Sequence, residues 1–200
     1  MFSDISRDDV FLIETPRLWL RWPHARDADA IARACAEPSL ALWTARIPHP
    51  YPEGEAEAFV ARARAANFAG EGLTLVVTTK GDRRDLVGCV SVERDADGQA
   101  ELGYWVARPF RGRGYASEAA RRAISAAFRL TAAVTLVAKA HPDNVASRAT
   151  LEGLGFVEFG PTTCVAPARG GAVEAVDHRL SRADWRESAA YDVAAPAARV

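Results

Sequence analysis

The run Arg111-Gly112-Arg113-Gly114-Tyr115-Ala116 combines two glycines with two guanidinium groups, a composition suited to holding an anion. Glycine lets a backbone curl tightly and approach a ligand closely. A helix starting here would leave its first N–H groups unpaired and present the positive end of its dipole. Amides from Gly112 to Ala116 pointing into one concavity would bind phosphate. Arg111 and Arg113 add local positive charge. The run is not a Walker loop, because Gly-Lys-Ser/Thr is absent. It is not a dinucleotide fingerprint either, because the third glycine and the later acidic strand end are missing. An ordinary strand-to-helix turn with solvated arginines is the plainer alternative.

A strand must lead into this loop and a helix must leave it. Glu101–Val106 reads as the strand and Gly114–Leu130 as a long Ala-rich helix. Strand and helix patterns alternate around them. Leu18, Leu20 and Trp22 alternate with Trp19 and Arg21, giving a strand from about Glu14. Ala28, Ile31, Ala32 and Cys35 fall at helical spacing, as do Phe59, Val60 and Ala63 within Glu55–Phe68. Ala41–Pro52 reads as a loop. Leu73–Thr79 and Leu86–Glu93 read as strands, with turn signals at Gly81-Asp82 and Asp95–Gly98. Val134–Ala140 is a buried type of strand. Asn144–Leu154 is a short helix stopped by Gly153 and Gly155. Phe156–Phe159 and Val173–Leu180 close the series. The order β-α-α-β-β-β-α-β-α-β-β predicts a mixed α/β (α+β) domain with one central sheet flanked by helices. The expected domain is 12–185, with tails at 1–11 and 186–200.

The chain of 200 residues is 49% hydrophobic and 26% charged, as expected of one soluble domain. Its 25 basic and 26 acidic side chains leave a net charge of −1. That balance excludes a general field for nucleic acid and a polybasic membrane anchor. No run approaches the ~20 apolar residues of a membrane span, and no apolar leader follows Met1. The expected compartment is the cytoplasm. Cys35, Cys89 and Cys164 are too few and too scattered for a disulfide framework or a zinc site, so no metal is expected.

Arg111, Gly114 and Ala116 form Arg-x-x-Gly-x-Ala, which resembles the acetyl-CoA pyrophosphate loop of GNAT acyltransferases. Glu101-Leu-Gly-Tyr-Trp-Val106 before it matches the same superfamily. So do Asn144-x-x-Ser147-Arg148 with Leu154-Gly155-Phe156 after it, and Glu14-Thr15-Pro16-Arg17-Leu18-x-Leu20-Arg21 at the start. Together they resemble the branch of ribosomal-protein N-terminal-alanine acetyltransferases. The resemblance implies a GNAT fold with two neighbouring parallel strands splayed around the pantetheine arm, here Glu101–Val106 and Val134–Ala140. It implies that main-chain groups of Tyr104, Trp105 and Val106 pair with pantetheine as an added edge strand would. It places amides from Gly112 to Ser117, Tyr115 and Ala116 included, on the pyrophosphate, and Asn144 near the thiol end. Acetyl-CoA is the implied co-substrate and a primary amine the implied acceptor: a protein N-terminus, a lysine or a small molecule. Relatives are often homodimers.

Direct attack on a thioester needs a neutral amine, an oxyanion donor and a partner for the leaving thiolate. Glu101 is the candidate general base, needed more by a lysine amine of pKa ~10.4 than by an α-amine near ~8. A solvated strand-end carboxylate is its alternative. A backbone N–H near Val106 is the candidate oxyanion donor. Ser147 matches the family's proposed general acid and either protonates the thiolate or only positions it. Many relatives use a tyrosine here, and none is expected nearby. Asn144 and Ser147 also fit plain helix capping. Arg148 either reaches a CoA phosphate or faces solvent. Trp43 and Tyr51, with His49, are the candidate acceptor-lining residues, on a loop that could equally plug the core edge. Two other readings stay open: a non-catalytic acyl-CoA-binding module, and an acyltransferase using a longer donor such as succinyl-CoA.

Overall fold

The structure, a computed structural model, describes residues 11–185 except 82 and 96. Of the expected tails at 1–11 and 186–200, residues 1–10 and all of the second lie outside the described residues. Phe11, assigned to the first tail, packs partly buried against the core.

The elements run β1 (Leu12–Glu14), β2 (Leu18–Arg21), α1 (Ala28–Cys35), α2 (Pro38–Ala41), α3 (Glu55–Ala69), β3 (Gly72–Thr79), β4 (Leu86–Arg94), β5 (Ala100–Val106), α4 (Tyr115–Leu130), β6 (Thr135–Ala140), α5 (Val145–Gly153), β7 (Val157–Ala166) and β8 (Gly171–Ser181). They build one sheet in the order β1-β2-β3-β4-β5-β6-β8-β7. Every neighbouring pair is antiparallel except β5 and β6.

Helices cover both faces of the sheet's centre, so a central strand such as β3 is buried along its first seven residues. Leu73, Leu75 and Val77 pack with Leu18, Leu20, Ile124 and Phe128 on the α4 side. Val76 points the other way, to Ile31, Cys35 and Val60 of α1 and α3. Full burial of each large apolar side chain contributes about 1.5–3 kcal/mol. The stripe of α4 on the sheet is rich in small residues (Ala119, Ala120, Ala123, Ala127), which brings the helix close. Pairing of β2 with β3 begins only at Arg21↔Val76. Before it, buried Asn67 of α3 replaces the missing strand: it donates to Thr74 O (2.9 Å) and accepts from Thr74 N (2.7 Å).

Three elements differ from expectation. The first strand is two, because Thr15 N and Leu18 O close a turn (3.0 Å) around Pro16. The Thr15 hydroxyl reinforces that turn by accepting from Leu18 N at 2.8 Å. Pro38–Ala41 forms a short helix with Pro38 in its first turn. β7 does not stop at Phe159 but runs to Ala166. A register shift between Glu158 and Gly160 absorbs the irregularity, and Pro161 sits on an edge strand, where a missing N–H is tolerated.

The parallel pair opens soon after it starts. β5 and β6 pair only through Ala100↔Leu136 and Glu101↔Val137. Beyond that point β5 follows β4 as far as Gly88↔Val106, while β6 follows β8 as far as Ala140↔Val176. Two half-sheets diverge and leave a V between Leu102–Val106 and Ala138–Ala140.

Candidate active site

A cavity of about 650 Å³ occupies the V. Side chains alternate along a strand, so both faces of the sheet line it. Tyr104, Val106, Tyr115, Ser147 and Leu151 border it from the α4/α5 side. Phe59, Thr74, Ser91, Glu93, Glu101 and Lys139 border it from the α1/α3 side.

The glycine loop forms one end. Gly112 and Gly114 hold φ of +73° and +75°, a region that L side chains rarely adopt. Gly114 is the N-cap of α4 and has no side chain with which to cap it. The first helical bond runs from Glu118 N to Gly114 O at 3.1 Å. The amides of Tyr115, Ala116 and Ser117 therefore lack intrahelical acceptors. These residues border the cavity with Gly112 and Gly114. An open helix start beside a cavity attracts an anion.

The two arginines of the loop do different work. Arg111 folds back: its Nε donates to Val106 O (3.0 Å) and its Nη1 to Ser39 Oγ (2.9 Å). It straps the loop to the end of β5 and to α2. Its Nη2 is buried without a hydrogen-bond partner. Arg113 does not border the cavity, and its guanidinium stacks 5.9 Å from the Phe110 ring. Its carbonyl accepts from Arg17 Nη1 at 2.9 Å. Arg17 in turn pairs at 2.6 Å with Glu118, a carboxylate only 2% exposed in the first turn of α4. Glu118 also accepts from Arg17 N and from the Thr15 hydroxyl. The Thr15-Pro16-Arg17 turn is thereby clamped to the loop.

Glu101 and Ser147 lie on opposite faces of the V. Lys139 Nζ stands 3.4 Å from Glu101 Oε2 and 3.1 Å from Asp95 Oδ2. Burial opposes the Lys139 charge, but Glu101 and Asp95 outweigh it and raise its pKa. Burial likewise opposes Asp95 ionisation, yet the Gln99 amide and Lys139 outweigh it and hold the Asp95 pKa down. Glu93 of β4 sits directly across the ladder from Glu101. It pairs with Arg46 of the 43–51 loop and accepts from the Thr74 hydroxyl. Sequence reasoning missed Glu93. The turn at 95–98 was its signal, since a hairpin there sets 93 opposite 101.

Asn144 caps α5, its side-chain oxygen accepting from Ser147 N at 3.1 Å. The cap uses only the amide oxygen, and both residues border the cavity. The expectation that no tyrosine stands near Ser147 is overturned. Tyr104, expected to act through its main chain, turns its side chain toward α5 and sets its hydroxyl 3.0 Å from Ser147 Oγ. Trp105 borders the cavity from the opposite face and packs on the α1/α3 cluster. Arg148 donates to Pro142 O (3.1 Å) and to Glu158 (2.8 Å).

Of the acceptor residues, Trp43 borders the cavity and meets His141 edge-on at 5.6 Å between ring centroids. Tyr51 and His49 do not border it. Tyr51 packs partly buried on the α1/α3 cluster with its hydroxyl beside the Cys35 thiol. Among the described residues, no group of three or more His, Cys, Asp or Glu could hold a metal, and no helix is long and apolar enough to cross a membrane.

Residues 17–157 match the family described as "Acetyltransferase (GNAT) domain". YdaF of Bacillus subtilis, whose name assigns it provisionally as a ribosomal N-acetyltransferase, is 30% identical over 102 residues, covering 50% of this chain and 56% of YdaF. The chain thus spans just over half that relative's length. Two solved structures share the fold. Mycobacterium smegmatis RimJ in complex with CoA-disulfide superposes with a TM-score of 0.74 at 23% identity, covering 90% of each chain. The microcin C7 self-immunity acetyltransferase MccE, in complex with acetyl-CoA and AMP, gives 0.72 at 19% identity, covering 83% of this chain and 93% of MccE. The family match takes in both arms of the V, from Arg17 beside the glycine loop to the start of β7, and on that ground the chain belongs to the GNAT acetyltransferase family.

Proposed function

We propose that the protein transfers the acetyl group of acetyl-CoA to a primary amine, and that the α-amine of a protein N-terminus is the acceptor class best suited to the site. The observation that carries this reading is the V itself, with Glu101 on one face and Ser147 on the other. A thioester carbonyl lying in the gap would meet an amine from the Glu101 side and release sulfur toward Ser147. The open amides of Tyr115, Ala116 and Ser117 would hold the diphosphate, and the free edge of β5 at Tyr104–Val106 would pair with the pantetheine amides. Bound acetyl-CoA supplies the activated acetyl group; the residues orient it and handle the proton of the amine.

Magnitudes favour an α-amine. At pH 7 about one α-amine in ten is already neutral, against about one lysine in 2,500. Glu101, held by Lys139, then needs only to steer the amine or a bridging water. The word ribosomal in the name of the relative YdaF favours a protein acceptor over a small molecule.

A thiol-release assay over N-terminal peptides, lysine peptides and small amines tests the proposal. Turnover fastest on a free N-terminus is the expected result. Acyl-CoA binding without turnover of any amine would assign the chain to sensing instead, and faster turnover with succinyl-CoA would reassign the donor.

A further inference from the structure

The phenol of Tyr104 has no role in binding pantetheine through the main chain, yet it is placed with care. Its oxygen lies 3.0 Å from Ser147 Oγ and 3.3 Å from Ser147 O, and the Thr150 hydroxyl also reaches it. The shorter contact falls at the edge of the usual O–H···O range and the longer one outside it. Thr150 spends its own proton on Ala146 O at 2.9 Å. Tyr104 has one proton to give, and Ser147 Oγ is its best-placed acceptor.

Proton affinities disfavour the simplest role. Burial pushes the Tyr104 phenol above its usual range, outweighing the Ser147 and Thr150 hydrogen bonds that pull it down. A thiol titrates near ~8.5 and an ordinary phenol near ~10. Handing the Tyr104 proton to a departing thiolate is therefore uphill.

Resting on the acetyl-transfer reading above, we infer that Tyr104 is a positioning residue that donates to Ser147 Oγ and so commits the Ser147 proton to the leaving sulfur. Without that donation, Ser147 could turn its hydroxyl to the backbone, as serines in a first helical turn do. With it, the Ser147 oxygen is engaged from the Tyr104 side and its hydrogen is left for the cavity. As charge grows on sulfur, Ser147 donates more strongly and becomes a better acceptor for Tyr104, so the two bonds reinforce each other. No proton leaves Tyr104; the amine proton departs on the Glu101 side. The thiolate is stabilised where it forms and can take its proton from solvent after release.

The test titrates the ultraviolet thiolate absorbance of protein-bound CoA against pH in the parent, Tyr104→Phe, Ser147→Ala and the double variant. It needs no knowledge of the acceptor. The bound thiol should titrate lowest in the parent and higher in each single variant. The double variant should match Ser147→Ala, because Tyr104 acts only through Ser147. With the best amine of the panel, Tyr104→Phe should lower kcat about three- to tenfold, the size of one hydrogen bond, with an unchanged calorimetric Kd for acetyl-CoA. A Tyr104→Phe protein with parental kcat and thiol titration overturns the inference, as does a Tyr104→Phe effect that adds in full to that of Ser147→Ala. If Ser147→Ala itself behaves as the parent, Ser147's own role falls and Tyr104's with it. Absence of CoA binding in the folded parent would instead bring down the donor-site reading, a distinct result.

Discussion

Arg17 and Glu118 stand 101 positions apart in the chain and meet at 2.6 Å, with the carboxylate almost wholly buried and the guanidinium half exposed. The pair ties the β1–β2 turn to the helix whose first amides face the cavity. Glu118 also carries the Thr15 hydroxyl and the Arg17 main-chain N–H, so donors from two residues converge on it. Glu118→Gln should lower stability by about 2–3 kcal/mol, below the ~3–5 kcal/mol of a fully buried broken pair because Arg17 can reach water. Acetyl-CoA affinity should weaken severalfold. A urea melt and calorimetry check both, and an unmoved unfolding midpoint would show that the clamp is idle.

Gly114 has open space around it, the nearest side-chain atom to an added Cβ being Arg17 Nη2 at 3.5 Å. The cost of a substitution there is conformational, from φ of +75°. Gly114→Val should cost about 1–3 kcal/mol and reduce acetyl-CoA affinity by about 100-fold or more, because the amides of Tyr115 and Ala116 would turn away. Parental affinity in calorimetry would remove the loop from the donor site.

Gly88 is governed by contact rather than by conformation. A Cβ on it would lie 2.0 Å from Trp105 O, a backbone atom that must move. Gly88→Ala should push the end of β5 away from β4, destabilise by about 1–3 kcal/mol, and impair acetyl transfer more than a distant substitution of equal stability cost. The comparison of kcat at matched stability is the measurement.

Asp27 accepts from both terminal nitrogens of Arg21 (2.7 and 2.8 Å) and from His24 N (2.7 Å). Burial opposes its ionisation, but the Arg21 and His24 hydrogen bonds prevail and its pKa is lowered. A depressed carboxyl pKa stabilises the fold above the unfolded value, near ~3.9, and that contribution is lost as pH falls through the folded value. Asp27→Asn should therefore destabilise at pH 7 and flatten the loss of stability below about pH 4. Melts at pH 7 and pH 3 read the difference.

Glu101→Gln should slow acetyl transfer mainly below the pKa of the acceptor amine, where most of that amine is protonated, and much less above it. A pH–rate profile displaced evenly at all pH values would take Glu101 out of proton handling and leave it a binding role.

Patterns with a short period were readable in the sequence: α4 from its alanine stripe, β3 from its apolar run, the glycine loop from two residues that few other contexts require. What escaped was set by neighbours distant in the chain. Arg111 reads as a free anion ligand until Val106 O and Ser39 claim its guanidinium. Tyr104 reads as one residue of an edge strand until α5, 43 positions on, sets Ser147 beside it. The strand expected to end at Phe159 runs on through Gly160-Pro161, because β7 is an edge, which only the sheet order reveals and where a proline does little harm. Tyr51 and Trp43 share a loop and a type, and only packing sends one to the core and the other to the cavity.

The seam where only two residue pairs join the half-sheets has a kinetic corollary. On the acetyl-transfer proposal, a pantetheine arm threaded from the α4 side would leave the Glu101 side open, and a second molecule could arrive while the first is still seated. Both reactants would then be aboard together, and neither product would have to leave before the partner enters. Initial-rate plots should show intersecting lines, with no acetylated protein as a waypoint.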